Sequence, residues 1–170
     1  RTILHTDDGR LAFQEWLVRR RGRPRVRKVA FRGARLAEPA PGVLAALKRS
    51  TRIIVAPSNP FVSIGPMLAM PAMRRTLSEL QDRTVAVSPL IGGRAIKGPL
   101  AAMLRSQGYV RGTGAIAELY KQLASVLVVS PGDSPARPKK DWPRIVEREI
   151  LIDRPSRAAS LATALIAPEL

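Results

Sequence analysis

The spacing of apolar positions changes near residue 39. Before it, apolar residues alternate with polar ones in short runs; after it, compact apolar runs alternate with stretches at helical spacing. The alternation predicts strands at Thr2–Thr6, Leu11–Arg19 and Val26–Arg32, with a turn at Asp7–Gly9 between the first two. Strict alternation in the third strand puts Val26, Lys28, Ala30 and Arg32 on one face and Arg27, Val29 and Phe31 on the other. Beyond Pro39 the pattern predicts a proline-started helix at Pro41–Arg49 and a strand at Arg52–Ala56. The latter is apolar throughout its centre, as in a parallel strand covered on both faces. Helical spacing follows at Gly65–Leu68 and Ala72–Gln81, then a strand at Thr84–Ser88 and a helix at Pro99–Gln107 stopped by Gly108. The remainder reads as a helix at Ala115–Ala124, a strand at Val126–Val129 and a proline-rich loop at Ser130–Pro143, predicted to be the most mobile segment. A strand near Ile145–Ile152 and a helix at Ser156–Ile166, N-capped by Ser156, complete the chain.

This order predicts an α/β fold: a doubly wound, mainly parallel, Rossmann-like sheet over residues 39–170, preceded by an antiparallel β segment over residues 1–38. Nucleotide-binding domains of this class normally open with strand, glycine-rich loop and helix. Here antiparallel strands come first. The expectation is the C-terminal portion of a larger three-layer α/β/α domain whose N-terminal phosphate-loop half lies outside this chain.

Composition narrows the chemistry. The 170 residues, 45% of them hydrophobic, suffice for a packed core. No run of 18 apolar residues occurs, so no transmembrane helix is predicted. With no cysteine and one histidine, His5, disulfides, thiolate metal sites and a histidine cluster are excluded. A cytoplasmic location is the default expectation, without membrane association. The net charge is +16, which suits an anionic partner. Coding bias toward arginine, or an acidic complement elsewhere in a larger protein, would give the same excess. The densest basic run is Arg19 to Arg27. Within it Arg21–Pro24 is similar to a minor-groove AT-hook core. A solvated hairpin loop is the expected reading, and a nucleic acid partner is not expected.

Two polar loops at predicted strand ends are the candidates for binding, because ligands of open α/β sheets sit at the carboxyl ends of the strands. In the first, Ser58, Asn59 and Ser63 offer hydroxyl and amide groups to a base, sugar or phosphate, and Pro60 keeps Asn59 extended. Gly65 would let backbone approach a ligand. The alternative is a polar loop whose Ser and Asn bond their own backbone. The second loop runs from Ser88 to Pro99. Gly92 and Gly93 would free the backbone for an anion-binding nest, flanked by Arg94 and Lys97, with Gly98 opening a helix. The lysine has no following Ser or Thr, so this is not a Walker A loop. Asp7, Asp8 and Asp133 could hold magnesium only with ligands from elsewhere, and turn formation accounts for Asp7 and Asp8.

In order and wording these segments resemble the 2-phospho-L-lactate transferase (CofD-like) family of coenzyme F-420 biosynthesis. The resemblance rests on Phe13 to Val18, on Pro57 to Ile64 with Met67, Leu68 and Arg74, on Val87 to Pro99, and on Ala117 with Tyr120. It implies transfer of a phospholactyl-type, phosphoenolpyruvyl or phosphoglyceryl group. The donor would be guanosine-diphosphate-activated and the acceptor the ribityl hydroxyl of a deazaflavin precursor, with release of GMP. It also implies magnesium, with ligands mainly from the N-terminal half, and leaves a homodimer open. On this reading Arg94, Lys97 and the glycines serve the diphosphate, and Ser58, Asn59 and Ser63 the nucleotide or ribityl chain. The chain departs from the family where the late strand usually leads into Ile-Asp-x-x-Asp: here Val128 to Asp133 keeps only Asp133. The chain alone is therefore expected to be catalytically incomplete. A sister group, the nucleotide-sugar-binding gluconeogenesis factors, usually has Pro-Gly-Ser at the first loop; Pro57–Ser58–Asn59–Pro60 favours the transferases.

Overall fold

A computed structural model describes residues 1–96, 98–110, 112–167 and 170. Strands β1 (Thr2–Thr6), β2 (Gly9–Ala12) and β3 (Val26–Phe31) form an antiparallel sheet in the order β2-β1-β3. Strands β4 (Ile53–Val55), β5 (Thr84–Val87), β8 (Val126–Val129) and β9 (Arg144–Glu147) form a parallel sheet in that order. Between β5 and β8, β6 (Leu90–Ile91) and β7 (Arg94–Ala95) make a short hairpin. The helices are α1 (Val43–Arg49), α2 (Gly65–Leu68), α3 (Pro71–Glu79), α4 (Leu100–Ser106), α5 (Thr113–Tyr120) and α6 (Pro155–Ile166). The parallel sheet flanked by helices, with the separate antiparallel segment before it, is the predicted α/β class. Among the described residues no helix is long and apolar enough to cross a membrane.

Each face of the parallel sheet has its own core. Ala86, Leu127 and Val129 pack with Leu100 and Leu104 of α4 and with Ala115, Ile116 and Tyr120 of α5. On the other face Val85, Val87, Val126 and Val128 meet Leu161 and Leu165 of α6. The all-apolar β8 run is explained by this double coverage. β4 differs: it is an edge strand, and Ile54, in register with Val85, stays 41% exposed because α6 covers the central strands only. The antiparallel sheet rests on α4 instead. Met103 of α4 is fully buried among Leu4, Leu11, Trp16 and Val26.

Four elements depart from the sequence reading. The second strand ends at Ala12, and Glu15–Arg19 forms a π-helical turn. Helical spacing puts Phe13 and Trp16 side by side, ring centroids 6.3 Å apart, and buries Trp16 with its indole N–H donating to the Pro24 carbonyl at 2.7 Å. The alternation of the third strand also fails: the register slips at Arg27, pairing Thr6 with Val26 and His5 with Lys28. This bulge brings Val26 and Val29 to one face, against Leu4, although they lie three residues apart. Ser156 does not cap α6. Pro155 occupies the first turn with its φ already set, and Arg154 stands extended at the cap position. The 130–143 segment lacks regular structure but is fastened: Trp142 packs on the core and its indole donates to Glu118 at 2.9 Å.

Candidate functional site

The carboxyl edge of the parallel sheet is formed by the ends of four strands. Ser58 follows β4, Ser88 follows β5, the Ser130–Asp133 turn follows β8, and Glu147 closes β9. These short strands end together because their parallel pairings run in register from Ile53 through Glu147. Placing β5 between β4 and β8 makes the Ser58, Ser88 and Ser130 turns neighbours.

The first loop is built around Asn59. Its side-chain oxygen accepts from the amides of Phe61 and Val62 at 2.9 and 3.3 Å, capping a π-helical turn over Pro60–Ile64. Its side-chain nitrogen points to the Met103 sulfur at 3.7 Å. One end of the amide thus caps the turn and the other ties the loop to α4, and Pro60 is buried in it. Ser58 is half-buried and Ser63 exposed. Gly65 allows a close approach within the protein: a Cβ there would lie 2.9 Å from the Phe31 ring and 3.1 Å from the Pro60 carbonyl oxygen. The neighbour that requires glycine is therefore the antiparallel sheet.

In the second loop Ser88 is buried, and its hydroxyl accepts from the Leu90 amide at 3.1 Å, turning the chain into β6. Gly92 and Gly93 have φ of 58° and 67°. An anion nest alternates left- and right-handed residues, whereas two consecutive left-handed residues form a hairpin turn of type I′. Gly92–Gly93 is accordingly the turn joining β6 to β7, and it sets Arg94 on the exposed side of the hairpin. Arg94, Gly93 and Arg105 line a cavity of about 310 Å³ between this hairpin and α4. Two guanidinium groups at its rim suit a phosphate or carboxylate. Gly98 precedes α4 in an exposed turn. Lys97 lies outside the described residues.

Asp133 and Glu147 belong to the same edge, and Arg105 lines the cavity beside it. Asp133 turns back so that its amide donates to the Ser130 carbonyl at 3.0 Å, and its carboxyl oxygen Oδ2 is buried without a hydrogen-bond partner among the described residues. A buried polar oxygen left unpaired is costly. Glu147 accepts from the Ser134 amide at 3.3 Å. The Ser134 hydroxyl first, and the Gly132 backbone second, hold its carboxyl below the usual range. Arg105 arrives from the outer side of α4. The strand-end rule that picked out Ser58 and Ser88 applies equally to Ser130–Asp133, so that signal was legible; Arg105 carried none. Ala117 and Tyr120 are core residues of α5, and burial pushes the Tyr120 phenol above its ordinary value. Among the described residues no three His, Cys, Asp or Glu side chains cluster as a metal site.

A parallel sheet with hydroxyl, carboxylate and guanidinium groups gathered at its carboxyl edge defines a Rossmann-like α/β protein with a polar ligand edge. The family model for 2-phospho-L-lactate transferase CofD matches residues 1–164, and the chain belongs to that family. It is 36% identical over 134 residues to the 2-phospho-L-lactate transferase of Methanococcoides burtonii, covering 79% of this chain and 43% of that protein. It is 41% identical over 133 residues to the 2-phospho-L-lactate transferase of Haloarcula marismortui, covering 78% and 39% respectively. The protein of that name from Methanothermobacter thermautotrophicus is 37% identical over 132 residues, with 78% and 42% covered. The chain spans about two fifths of the length of these relatives.

Proposed function

We propose that this chain forms the C-terminal part of a transferase that moves a phospholactyl-type group from a guanosine-diphosphate-activated donor to the ribityl hydroxyl of a deazaflavin, releasing GMP. The observation that carries this reading is the family match over residues 1–164, whose motifs fall on the loops at the carboxyl edge. The hydroxyl of the acceptor attacks the phosphorus bearing the acid. That bond forms as the bond to the GMP oxygen breaks, and the hydroxyl proton passes to a base. The role of the protein is to align the two substrates and to neutralise charge on the transferring phosphoryl group. Arg94 and Arg105, with Lys97 from the same loop, supply cations for the diphosphate; the Ser58 hydroxyl is available to the nucleotide or ribityl chain.

Magnesium suits Asp133. Magnesium takes one or two carboxylates together with substrate phosphates, and the unpartnered Oδ2 of Asp133 provides one oxygen at this edge. The ion would supply charge neutralisation on the diphosphate, with its other protein ligands outside this chain.

The test uses the complete protein, incubated with deazaflavin and with each activated acid in turn, product being followed by mass. Lys97→Ala and Arg94→Ala should each lower transfer at least tenfold with little effect on thermal stability. Near-wild-type turnover in both would remove the second loop from the site, and no product with any donor would remove the reaction.

A further inference from the structure

The arginines of the Arg19–Arg27 loop take no part in the site above, yet the loop is held in one shape. The Arg20 amide donates to the Glu15 carbonyl at 3.0 Å, the Gly22 amide to Trp16 at 2.9 Å, and the Arg23 amide to Arg20 at 3.1 Å. With the Trp16 indole bound to Pro24, four bonds pin the loop. Arg21 has φ of 51° and is followed by Gly22 at 64°; among the described residues no other non-glycine residue has a positive φ. Such a conformation costs about 1–3 kcal/mol and persists only where the surroundings impose it.

The pinned loop surrounds a depression of about 570 Å³ lined by Asp8, Arg19, Arg20, Arg21, Arg23 and Pro24. A second depression, of about 460 Å³, shares Arg23 and Pro24 and adds Arg25 and Arg105. The third is the 310 Å³ cavity of the hairpin, which shares Arg105 and reaches Arg94. Arg23, Pro24 and Arg105, each lining two of them, set the three depressions side by side, and the basic groove they make up carries seven arginines and one acid, Asp8. Within the loop, among the described residues, only Arg27 has a carboxylate partner, Asp7 at 2.5 Å.

We propose that this groove binds an extended chain of linked phosphates, of the inorganic polyphosphate type. Cations spread over three neighbouring depressions suit a polyanion long enough to span them, and a single phosphate would fill one depression only. Single-stranded nucleic acid is disfavoured because such sites add aromatic faces on which bases stack. The one aromatic residue of the groove, Trp16, is 1% exposed. Minor-groove insertion of an AT-hook type needs an extended backbone, and the left-handed turn at Arg21–Gly22 removes it.

The test is a titration of the complete protein with medium-chain polyphosphate, with pyrophosphate and with a single-stranded oligonucleotide of matched charge. Polyphosphate should bind at least tenfold more tightly than either. The triple variant Arg20→Ser/Arg21→Gly/Arg23→Ser should weaken it at least tenfold. Because the variant leaves three phosphates without their cations, the slope of log K against log salt should fall by about 2. Glycine accepts the φ of Arg21, so this variant should melt at the wild-type temperature; Arg105→Ser, at an exposed position of α4, offers a second variant and should weaken binding severalfold. Unchanged polyphosphate affinity in both variants, equal affinity for pyrophosphate, or tighter binding of the oligonucleotide would each overturn the proposal.

Discussion

Replacing Gly65 by alanine separates two meanings of that residue. If Gly65 serves packing between the first loop and the antiparallel sheet, the variant should lose stability with no ligand present. The new Cβ would stand 2.9 Å from Phe31 Cζ and 3.1 Å from the Pro60 carbonyl oxygen. The first contact is closer than carbon atoms tolerate, and the second faces backbone, which cannot yield alone. Overpacking of this kind costs about 1–3 kcal/mol. Gly65 is helical, with φ of −52°, so alanine also gains up to about 1 kcal/mol of helix propensity. The net expectation is a loss of about 1 kcal/mol, equivalent to about 2–4 °C in a domain of this size. Chemical denaturation and calorimetry would measure it. Phe31→Leu removes the ring edge that the methyl group meets, so Gly65→Ala should cost less in that background, and the double-mutant cycle reads the coupling directly. Wild-type stability combined with lost nucleotide affinity would refute the packing role and return Gly65 to the ligand.

Asn59→Ala removes the cap from the Pro60–Ile64 turn and should cost about 1 kcal/mol, seen as a lower denaturation midpoint with an unchanged slope. Glu118 gives a pH signature. Lys121 first, then the Trp142 indole and Lys139, hold its carboxyl at about 2, below the ordinary 4.5. Its stabilising contribution is therefore full above pH 4.5 and is lost as pH falls toward 2. Glu118→Gln should flatten the loss of melting temperature across that window and leave the profile above it parallel to wild type. An equally steep acid limb in the variant would mean that the Glu118 cluster contributes nothing measurable.

Local pattern was enough for most of the element order and for the family resemblance, though not for the π-helical turn at Glu15–Arg19 or the β6–β7 hairpin. An apolar run such as Val126–Val129 reads as a strand covered on both faces, which β8 is and the edge strand β4 is not, and punctuation by Pro and Gly marked the helices within a few residues. The motifs of both loops were legible because they are local wording. Tertiary structure decided what that wording does. Asn59 and Ser88 carry ligand-like chemistry, yet the side-chain oxygen of each accepts from the turn that contains it, and the Asn59 nitrogen faces Met103. Two adjacent glycines allow a nest or a hairpin, and pairing of Leu90 with Ala95 selects the hairpin. Trp16 falls out of strand period because a buried indole, bonded to Pro24, outweighs local alternation. The bulge at Arg27 is likewise invisible locally, since only the partner strand fixes which residues face Leu4. Asp133 is distant in sequence from the two loops, and strand order brings it to the carboxyl edge; the docking of α4 decides that Arg105 lines the cavity beside the hairpin. Periodicity reports what one segment buries, and the choice of partner belongs to the whole chain.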